Sequence, residues 1–246
     1  MSSDDEIERL AAAIAALRSE RDGSSELDPS ALQACTDGFQ ASRSPSPMRL
    51  AHTAAKGSAV FEVRSLAELE LVAPELPRDA HVYFSLQCQS LEEQEVAALG
   101  RAPQLQHVRT LDMSLAEFGD DATRALVTSP HLSGLEGLHL WKSGVTEATV
   151  EALAEAPCAA GLRLLNLCGN FVQDGAAAVI ASAKLESLTM VDLSSTYLTA
   201  KGAATIIASM RDSALRQVSF RQSLVRAEER QALLAIDRPK DASIEL

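Results

Sequence analysis

The sequence predicts an α/β solenoid, a curved horseshoe with a parallel β-sheet on its concave face and helices on its convex face. The first observation is a repeated pattern, apolar-x-apolar-x-x-small polar-x-apolar, whose first positions are residues 84, 111, 138, 165, 191 and 218. The steps between them are 27, 27, 27, 26 and 27 residues. The second observation is that each unit starts with strand-like alternation and continues with helical spacing. Such a period indicates about six regular repeats that stack, because one unit cannot bury its apolar face alone.

The first half of each unit is predicted to be a short β-strand. From Leu138 to Trp141, apolar and other residues alternate, which places Leu138 and Leu140 on one face and His139 and Trp141 on the other. A further apolar residue lies three positions before most strand anchors. These residues are Val108, Leu135, Leu162, Leu188 and Leu215.

The second half of each unit is predicted to be a helix. Ala, Glu and Leu recur at helical spacing over residues 146–156, 174–183 and 199–210. Thr146 and Thr199 are suited to cap two of these helices, and Asp174 carries a negative charge that suits a helix start.

The sixth position of the pattern is predicted to connect the backbone where each strand ends. A small polar side chain there can bond the turn, in which the strand ladder offers no partner. Its occupants are Gln89, Ala116, Ser143, Asn170, Thr196 and Ser223. Ala116 departs from the pattern, and Asn170 is its one asparagine.

The unit from Leu162 to Gly175 reads L-x-x-L-x-L-x-x-N-x-V-x-D-G and resembles a leucine-rich repeat. The resemblance covers residues 80–236 and is closest to the ribonuclease-inhibitor-like subtype, which implies one strand and one full helix per unit. The second candidate is the cysteine-containing subtype found in F-box proteins. That subtype has Cys at the sixth position, whereas Cys88 and Cys168 lie before it here. The family is defined by architecture, and its members bind very different partners.

Five segments are predicted along the chain. Residues 1–40 form an N-terminal helical segment, and residues 41–58, with two Ser-Pro pairs, form a flexible linker that proteases should cut first. Residues 59–79 form the N-terminal cap, residues 80–236 the leucine-rich repeat domain, and residues 237–246 a polar C-terminal tail. The first helix, over residues 4–21, can dock on the solenoid, on a partner or on neither.

Composition limits the classes of partner. The chain carries 22 basic and 34 acidic side chains, a net charge of −12, of which residues 59–246 contribute −9 from 16 basic and 25 acidic groups. The negative charge argues against nucleic acid and anionic membranes as partners, and it permits a basic protein partner. The alternative explanation is that the acidic residues lie on solvated helix faces.

No apolar run reaches the length of about 18 residues of a membrane helix, so a cytoplasmic protein is expected. The four cysteines show no metal or disulfide spacing, which predicts buried or half-buried free thiols.

The residues between the strand anchors are predicted to line the concave face, where a partner could reach them. Trp141, the single tryptophan, falls near the middle of the array and is the predicted anchor; the alternative is packing within the chain. The candidate partner-binding residues are Tyr83, Ser85, Gln87, Asp112, Ser114, His139, Trp141, Lys142, Asn166, Asp192, Ser194, Ser219 and Arg221.

Two further sets of residues have more than one possible role. His139 beside Asp112 could be a catalytic pair, but an ordinary histidine next to a carboxylate is the favoured interpretation. Phe171 and Tyr197 fall at the rim where strands turn toward helices. There Phe171 is expected to pack, and Tyr197 to extend the contact surface.

The predicted function is a non-enzymatic protein-interaction module, an intracellular scaffold or regulator. The alternative is a regulator of a small GTPase, since some proteins of the class that the chain resembles act on GTPases. An enzyme is disfavoured because the sequence has no Gly-rich phosphate loop, metal-ligand cluster or nucleophile motif. No cofactor is therefore expected.

Overall fold

The computed structural model describes residues 60–76, 80–89, 91 and 93–246. The predicted helices and linker of residues 1–58 lie outside the described residues. The described chain forms one open parallel sheet whose eight strands lie in chain order. The strands are β1 (Val60–Val63), β2 (His81–Ser85), β3 (Val108–Asp112), β4 (Gly137–His139), β5 (Leu164–Asn166), β6 (Met190–Asp192), β7 (Gln217–Ser219) and β8 (Ser243–Glu245).

Seven α-helices in the described residues connect successive strands, and from the second to the seventh each packs against the next on one face of the sheet. They are α1 (Leu66–Val72), α2 (Glu93–Leu99), α3 (Gly119–Val127), α4 (Glu147–Ala154), α5 (Gly175–Ile180), α6 (Ala200–Ser209) and α7 (Ala227–Leu234). The opposite face of the sheet is called the concave face below. None of the described helices is long and apolar enough to cross a bilayer.

The 27-residue period appears in the strand register. Leu111 pairs with Leu138, Leu138 with Leu165, and Leu165 with Val191, so each anchor lies beside the anchor of the next unit. These four side chains are fully buried, and burial of one such side chain is worth about 1.5–3 kcal/mol. The rows of anchors therefore form one continuous core between the sheet and the helices.

The predicted caps are confirmed, but the helices are shorter than predicted. The Thr146 hydroxyl accepts from the Ala148 N–H at 3.2 Å and the Thr199 hydroxyl from the Lys201 N–H at 3.3 Å, each at a helix start. After α4 the chain continues into a short 3₁₀ turn over Ala159–Gly161. The chain leaves this turn at Leu162, which is extended and fully buried in the core.

The C-terminal residues differ from the prediction of a polar tail. Strand β8 pairs in parallel with β7, with Val218 opposite Ile244. The unpaired backbone edge of β7 needs hydrogen-bond partners, and β8 supplies them. Ala242, Ile244 and Leu246 also pack against the core, so the alternation of apolar and polar residues here was a strand signal.

One position of every repeat adopts the left-handed backbone conformation. It lies four residues after the anchor, and φ there is between 50° and 73°. The residues are Cys88, Leu115, Lys142, Gly169, Ser195 and Gln222. A residue with a side chain is disfavoured in this conformation by roughly 1–2 kcal/mol, so the repeated turn is imposed by the stacked units rather than by local preference.

Candidate protein-interaction surface

Burial divides the thirteen predicted partner-binding residues into three groups. Trp141, Gln87, Asp192 and Ser194 are half-buried, and Lys142 and Arg221 are exposed. The other seven are buried: Tyr83, Ser85, Asp112, Ser114, His139, Asn166 and Ser219. The expectation that these seven side chains are exposed on the concave face was therefore wrong.

The first physical reason is that polar side chains directly after the anchor close the turn that ends the strand. Asp112, Asn166 and Asp192 each accept the N–H of the residue two positions later, in each case at 2.9 Å. Such bonds satisfy a backbone group that has left the strand ladder. These side chains are thus held by their own units.

The second reason is hydrogen bonding between neighbouring strands. The Tyr83 hydroxyl donates to the Asp112 carboxylate on the next strand. The hydroxyls of Ser194 and Ser219 lie 2.8 Å apart, and Ser219 Oγ donates to Glu245 Oε2 at 3.1 Å. Neighbouring parallel strands are only about 4.8 Å apart, so side chains that share a face reach one another before they reach a partner.

The possible catalytic pair occupies a packed environment. His139 is opposite Asp112 in the register, is 1% exposed, and its ring lies 6.3 Å from that of Tyr83 at a 50° tilt. The adjoining depression is lined by His139, Asn166 and Asp192, and its volume of about 10 Å³ is close to the least that holds one water molecule. Ligand pockets usually span about 300–1,000 Å³. The geometry favours a structural role for this pair.

The cysteines of the described region are free thiols. Burial raises the pKa of the Cys158 thiol to about 11, and burial together with the nearby Asp192 charge raises that of Cys168 to about 11. Both are therefore poor nucleophiles at neutral pH. Cys88 differs from the prediction because it is exposed at a left-handed turn position, and Cys35 lies outside the described residues. Among the described residues, no group of three or more His, Cys, Asp or Glu is placed to hold a metal ion.

Trp141 and Lys142 lie over the bare backbone of Gly169 in the next repeat. A Cβ atom added at Gly169 would be 3.6 Å from Trp141 Cδ1 and 2.7 Å from Lys142 Cγ. The Lys142 ammonium lies 5.3 Å from the centre of the Trp141 ring, within the range of a cation–π contact. The half-buried indole is thus supported from two sides.

An exposed apolar row, here called the rim stripe, lies beside this feature. It consists of Phe171, Tyr197 and Leu224, which are 55%, 50% and 53% exposed. The rings of Phe171 and Tyr197 stack with centres 6.0 Å apart and planes at 17°, so Phe171 packs against a neighbour as expected and is also exposed. Leu224 was not among the residues predicted to lie at this rim. The sequence feature that could have predicted it is that all three residues occupy the seventh position of the repeat pattern.

Acidic residues at the helix starts connect successive repeats. Asp120 accepts from the Thr146 N–H at 3.0 Å and from the hydroxyls of Thr146 and Thr149 at 2.7 and 2.6 Å. Asp174 binds Thr199 in the same way. Burial raises the pKa of Asp120, but the bonds from the two threonines outweigh it and hold that pKa below its ordinary value. These carboxylates are structural links between repeats, a role that the sequence did not predict.

Stability is expected to depend on pH through His81 on β2. This side chain is 4% exposed, and its Nε2 lies 2.8 Å from Thr110 Oγ1. Burial, and then the positive charge of Arg109, lower its pKa from 6.5 to about 4. Between these two values the unfolded chain binds a proton that the folded chain does not, so the free energy of unfolding should fall as pH decreases from 6.5 toward 4.

The measurement is urea denaturation at several pH values between 7.5 and 4.5, in the intact chain and in His81→Gln. In the variant, the free energy of unfolding should fall less as the pH is lowered. At pH 7.5, where His81 is neutral in both states, the difference in that free energy between the two proteins reports the change in packing alone. Equal pH slopes in the two proteins would show that His81 does not carry the effect.

The eight-stranded parallel sheet, the aligned apolar rows and the helix in each unit define the class of protein, a leucine-rich repeat solenoid. No family model matches the chain, and no curated protein matches it. Among solved structures, the chain is similar to an internalin from Listeria monocytogenes strain 4b F2365, with 11% sequence identity and a TM-score of 0.38. The match covers 75% of this chain and 58% of the internalin chain, so the chain spans less than two thirds of that protein's length.

Proposed function

We propose that this chain is a non-enzymatic protein-interaction module that binds a protein partner through the concave sheet around Trp141. The observation that carries the proposal is the support of this half-buried indole by Lys142 and the backbone of Gly169. A tryptophan that is already ordered loses little conformational freedom on binding, and it offers both apolar area and an N–H donor. Rigid repeats usually present such anchors on extended surfaces.

The accessible contact set lies mainly on the C-terminal half of the concave face. It comprises Trp141, Lys142, Asp192, Ser194 and Arg221. Among the seven buried residues, Asp112 and Asn166 support this surface because each accepts an N–H where its strand ends. The net charge of −12 favours a basic partner, and a scaffold or regulator in the cytoplasm is the setting that we propose. One helix per unit supports assignment to the ribonuclease-inhibitor-like subtype. Nothing in the described residues specifically favours regulation of a GTPase.

The double variant Trp141→Ala, Arg221→Ala should lose binding of the partner. Truncation of a central aromatic anchor commonly costs about 2 kcal/mol or more, which corresponds to roughly a thirtyfold loss of affinity. The measurement is affinity capture from native lysate with the full chain as bait, followed by a binding titration with the partner so identified. Trp141→Phe should retain part of the affinity, because it keeps an aromatic ring.

Leu234→Ala is the matched control, since this exposed side chain lies on the far helix α7. It should capture the same proteins as the intact chain. If the double variant folds normally and captures an unchanged set of proteins, the concave face around Trp141 is not the binding surface.

A further inference from the structure

We propose that residues 4–21 of the chain, called the cover below, pack across the concave face over strands β2–β6. The proposal goes beyond the function proposed above, because it assigns to the sheet a ligand within the same chain. The cover lies over the starts of these strands. The contact set around Trp141, at their ends, is then what remains for a partner, a consequence that rests on the proposed function.

The observation that carries the proposal is a row of side chains on the concave face that are buried outside the core. The row lies one position before each anchor, and its large members Tyr83, Leu164 and Met190 are 4%, 3% and 4% exposed. None of the three belongs to the core that the anchors form with the helices. A large side chain on the other face of a sheet is buried to this extent only when a second layer of atoms covers that face.

Neighbours in the sheet do not explain the burial of Leu164. It pairs with Met190 on β6, but its partner on β4 is Gly137, which has no side chain to shield it. The curvature of the sheet does not explain the burial either, since Gln217 in the same row on β7 is only half-buried and Ser243 on β8 is exposed. The covering layer therefore ends between β6 and β7.

The described part of the chain places no helix on this face. Each of its seven α-helices contributes side chains to the core on the opposite face, and β8 extends the sheet itself. The remaining residues are 1–59, 77–79, 90 and 92. Residues 77–79 come directly before β2, and strands β5 and β6 are roughly 14 and 19 Å from β2 at about 4.8 Å per strand. Residues 1–59 are therefore the stretch that is long enough to cover the row.

Within that stretch, residues 4–21 have the pattern and the length that this face requires. Ile7, Leu10, Ile14 and Leu17 recur at spacings of three and four residues, which places them along one side of a helix. A helix of 18 residues is about 27 Å long, enough to cross five strands that together span about 19 Å.

The position of the chain's entry into the sheet also permits this arrangement. The chain enters at β1, five strand spacings or roughly 24 Å from β6. The 38 residues from 22 to 59 span about 30 Å or more as a flexible chain. They can therefore connect a helix that lies over β5 and β6 to the start of β1.

Apolar contact, rather than charge, holds the cover in place. Residues 4–21 carry five acidic and three basic side chains, and the whole chain has a net charge of −12, so long-range electrostatics do not attract the cover. Burial of the apolar stripe against the row supplies the free energy. Weak affinity is sufficient, because the linker holds the cover at an effective concentration of about a millimolar.

The test measures how fast iodoacetamide alkylates a thiol placed on the row of the full chain. Met190→Cys places the thiol under the cover, and Ser243→Cys places it in the same row on the exposed β8. The first thiol should react at least about tenfold more slowly than the second. The background keeps the fully buried Cys158 and changes the other three cysteines, Cys35→Ser, Cys88→Ser and Cys168→Ser.

Leu10→Asp with Ile14→Asp places two carboxylates in the apolar stripe. This pair of changes should raise the alkylation rate of the Met190→Cys thiol at least about tenfold and leave that of the Ser243→Cys thiol unchanged. The matched control is Ala12→Asp with Ala16→Asp, which adds the same charge on the opposite side of the predicted helix. It should leave both rates unchanged.

The retained Cys158 distinguishes undocking from unfolding. Its side chain is 0% exposed in the core, so its alkylation, measured separately by mass spectrometry, should stay slow when the cover leaves the sheet. Equal acceleration at Cys158 and at the Met190→Cys thiol would show that the aspartates unfold the repeats, and it would overturn the proposal of a separable cover.

Four other results would also overturn the proposal. The Met190→Cys thiol could react as fast as the Ser243→Cys thiol, which would show an open face. The stripe variant could react no faster than the Ala12→Asp, Ala16→Asp control. Acceleration could require Leu32→Asp with Phe39→Asp, which would make another part of residues 1–59 the occupant. Protection could increase with protein concentration, which would make a second copy the occupant. None of these measurements involves a partner, so their outcome is independent of the capture experiment on Trp141.

Discussion

Replacement of Asn170 by alanine is expected to lower the free energy of unfolding by about 2–4 kcal/mol. The side chain is 1% exposed and connects two repeats. Its Oδ1 accepts from the N–H groups of Ser143 and Val145 at 3.0 and 3.2 Å, and its Nδ2 donates to the oxygens of Leu140 and Leu167. Alanine would leave these backbone groups without that partner inside the fold, and a buried polar group without a partner costs about 1–3 kcal/mol.

Urea denaturation followed by circular dichroism measures this loss. Ser223→Ala is the matched control at the same repeat position, where the half-buried hydroxyl donates to the Phe220 oxygen at 2.6 Å. Its expected cost is about 0.5–1.5 kcal/mol. Equal losses in the two variants would show that the bonds between repeats add nothing to the stability of the turn.

Gly202→Ala is expected to destabilise the protein by about 1–3 kcal/mol, although alanine favours a helix over glycine by about 1 kcal/mol. A Cβ atom at residue 202 would lie 2.4 Å from Asp174 Oδ1 and 2.9 Å from Leu198 Cδ1. The carboxylate of Asp174 is the group that bonds Thr199 at the start of α6. The new methyl group would displace that link, and tight packing leaves little room for relaxation.

Gly175→Ala in α5 is the control, because its added Cβ atom would be 3.3 Å from Cγ of the flexible Glu147 side chain, which can move. Its stability should be unchanged or raised by up to about 1 kcal/mol. Comparison of the two urea midpoints tests the argument. A stabilised Gly202→Ala protein would mean that the Asp174 link is dispensable.

Much of the fold could be predicted because the apolar period is long and regular. The anchors at 27-residue steps pair with one another in the sheet, and Thr146 and Thr199 cap their helices as predicted. Strand β8 was missed although it continues the period, since Ile244 lies opposite the anchor Val218 and follows it by 26 residues. The strand contains only three residues, and only the first two apolar positions of the pattern, Ile244 and Leu246, are present. Its role depends on the open edge of β7, a feature that three residues of sequence do not reveal.

The candidate surface was predicted less well. Alternation along a strand correctly assigned side chains such as Asp112 and Ser219 to the face opposite the anchors, but it could not tell whether they are exposed. Asp112 is buried with the Tyr83 hydroxyl bonded to its carboxylate, 29 residues away in the chain. The exposure of Leu224, in contrast, is evident only from the folded structure, in which Leu224 is exposed to the same extent as Phe171 and Tyr197.

The repeating sequence is enough to specify the solenoid, its register and the face on which each strand side chain lies, because these follow from local periodicity and from the need to bury apolar rows. Which of those side chains a partner can reach was decided by contacts between repeats. Asp174 binds Thr199 25 residues further on, and Asn170 binds Ser143 27 residues before it. Such bonds depend on how adjacent units stack, and stacking exists only once the chain has folded.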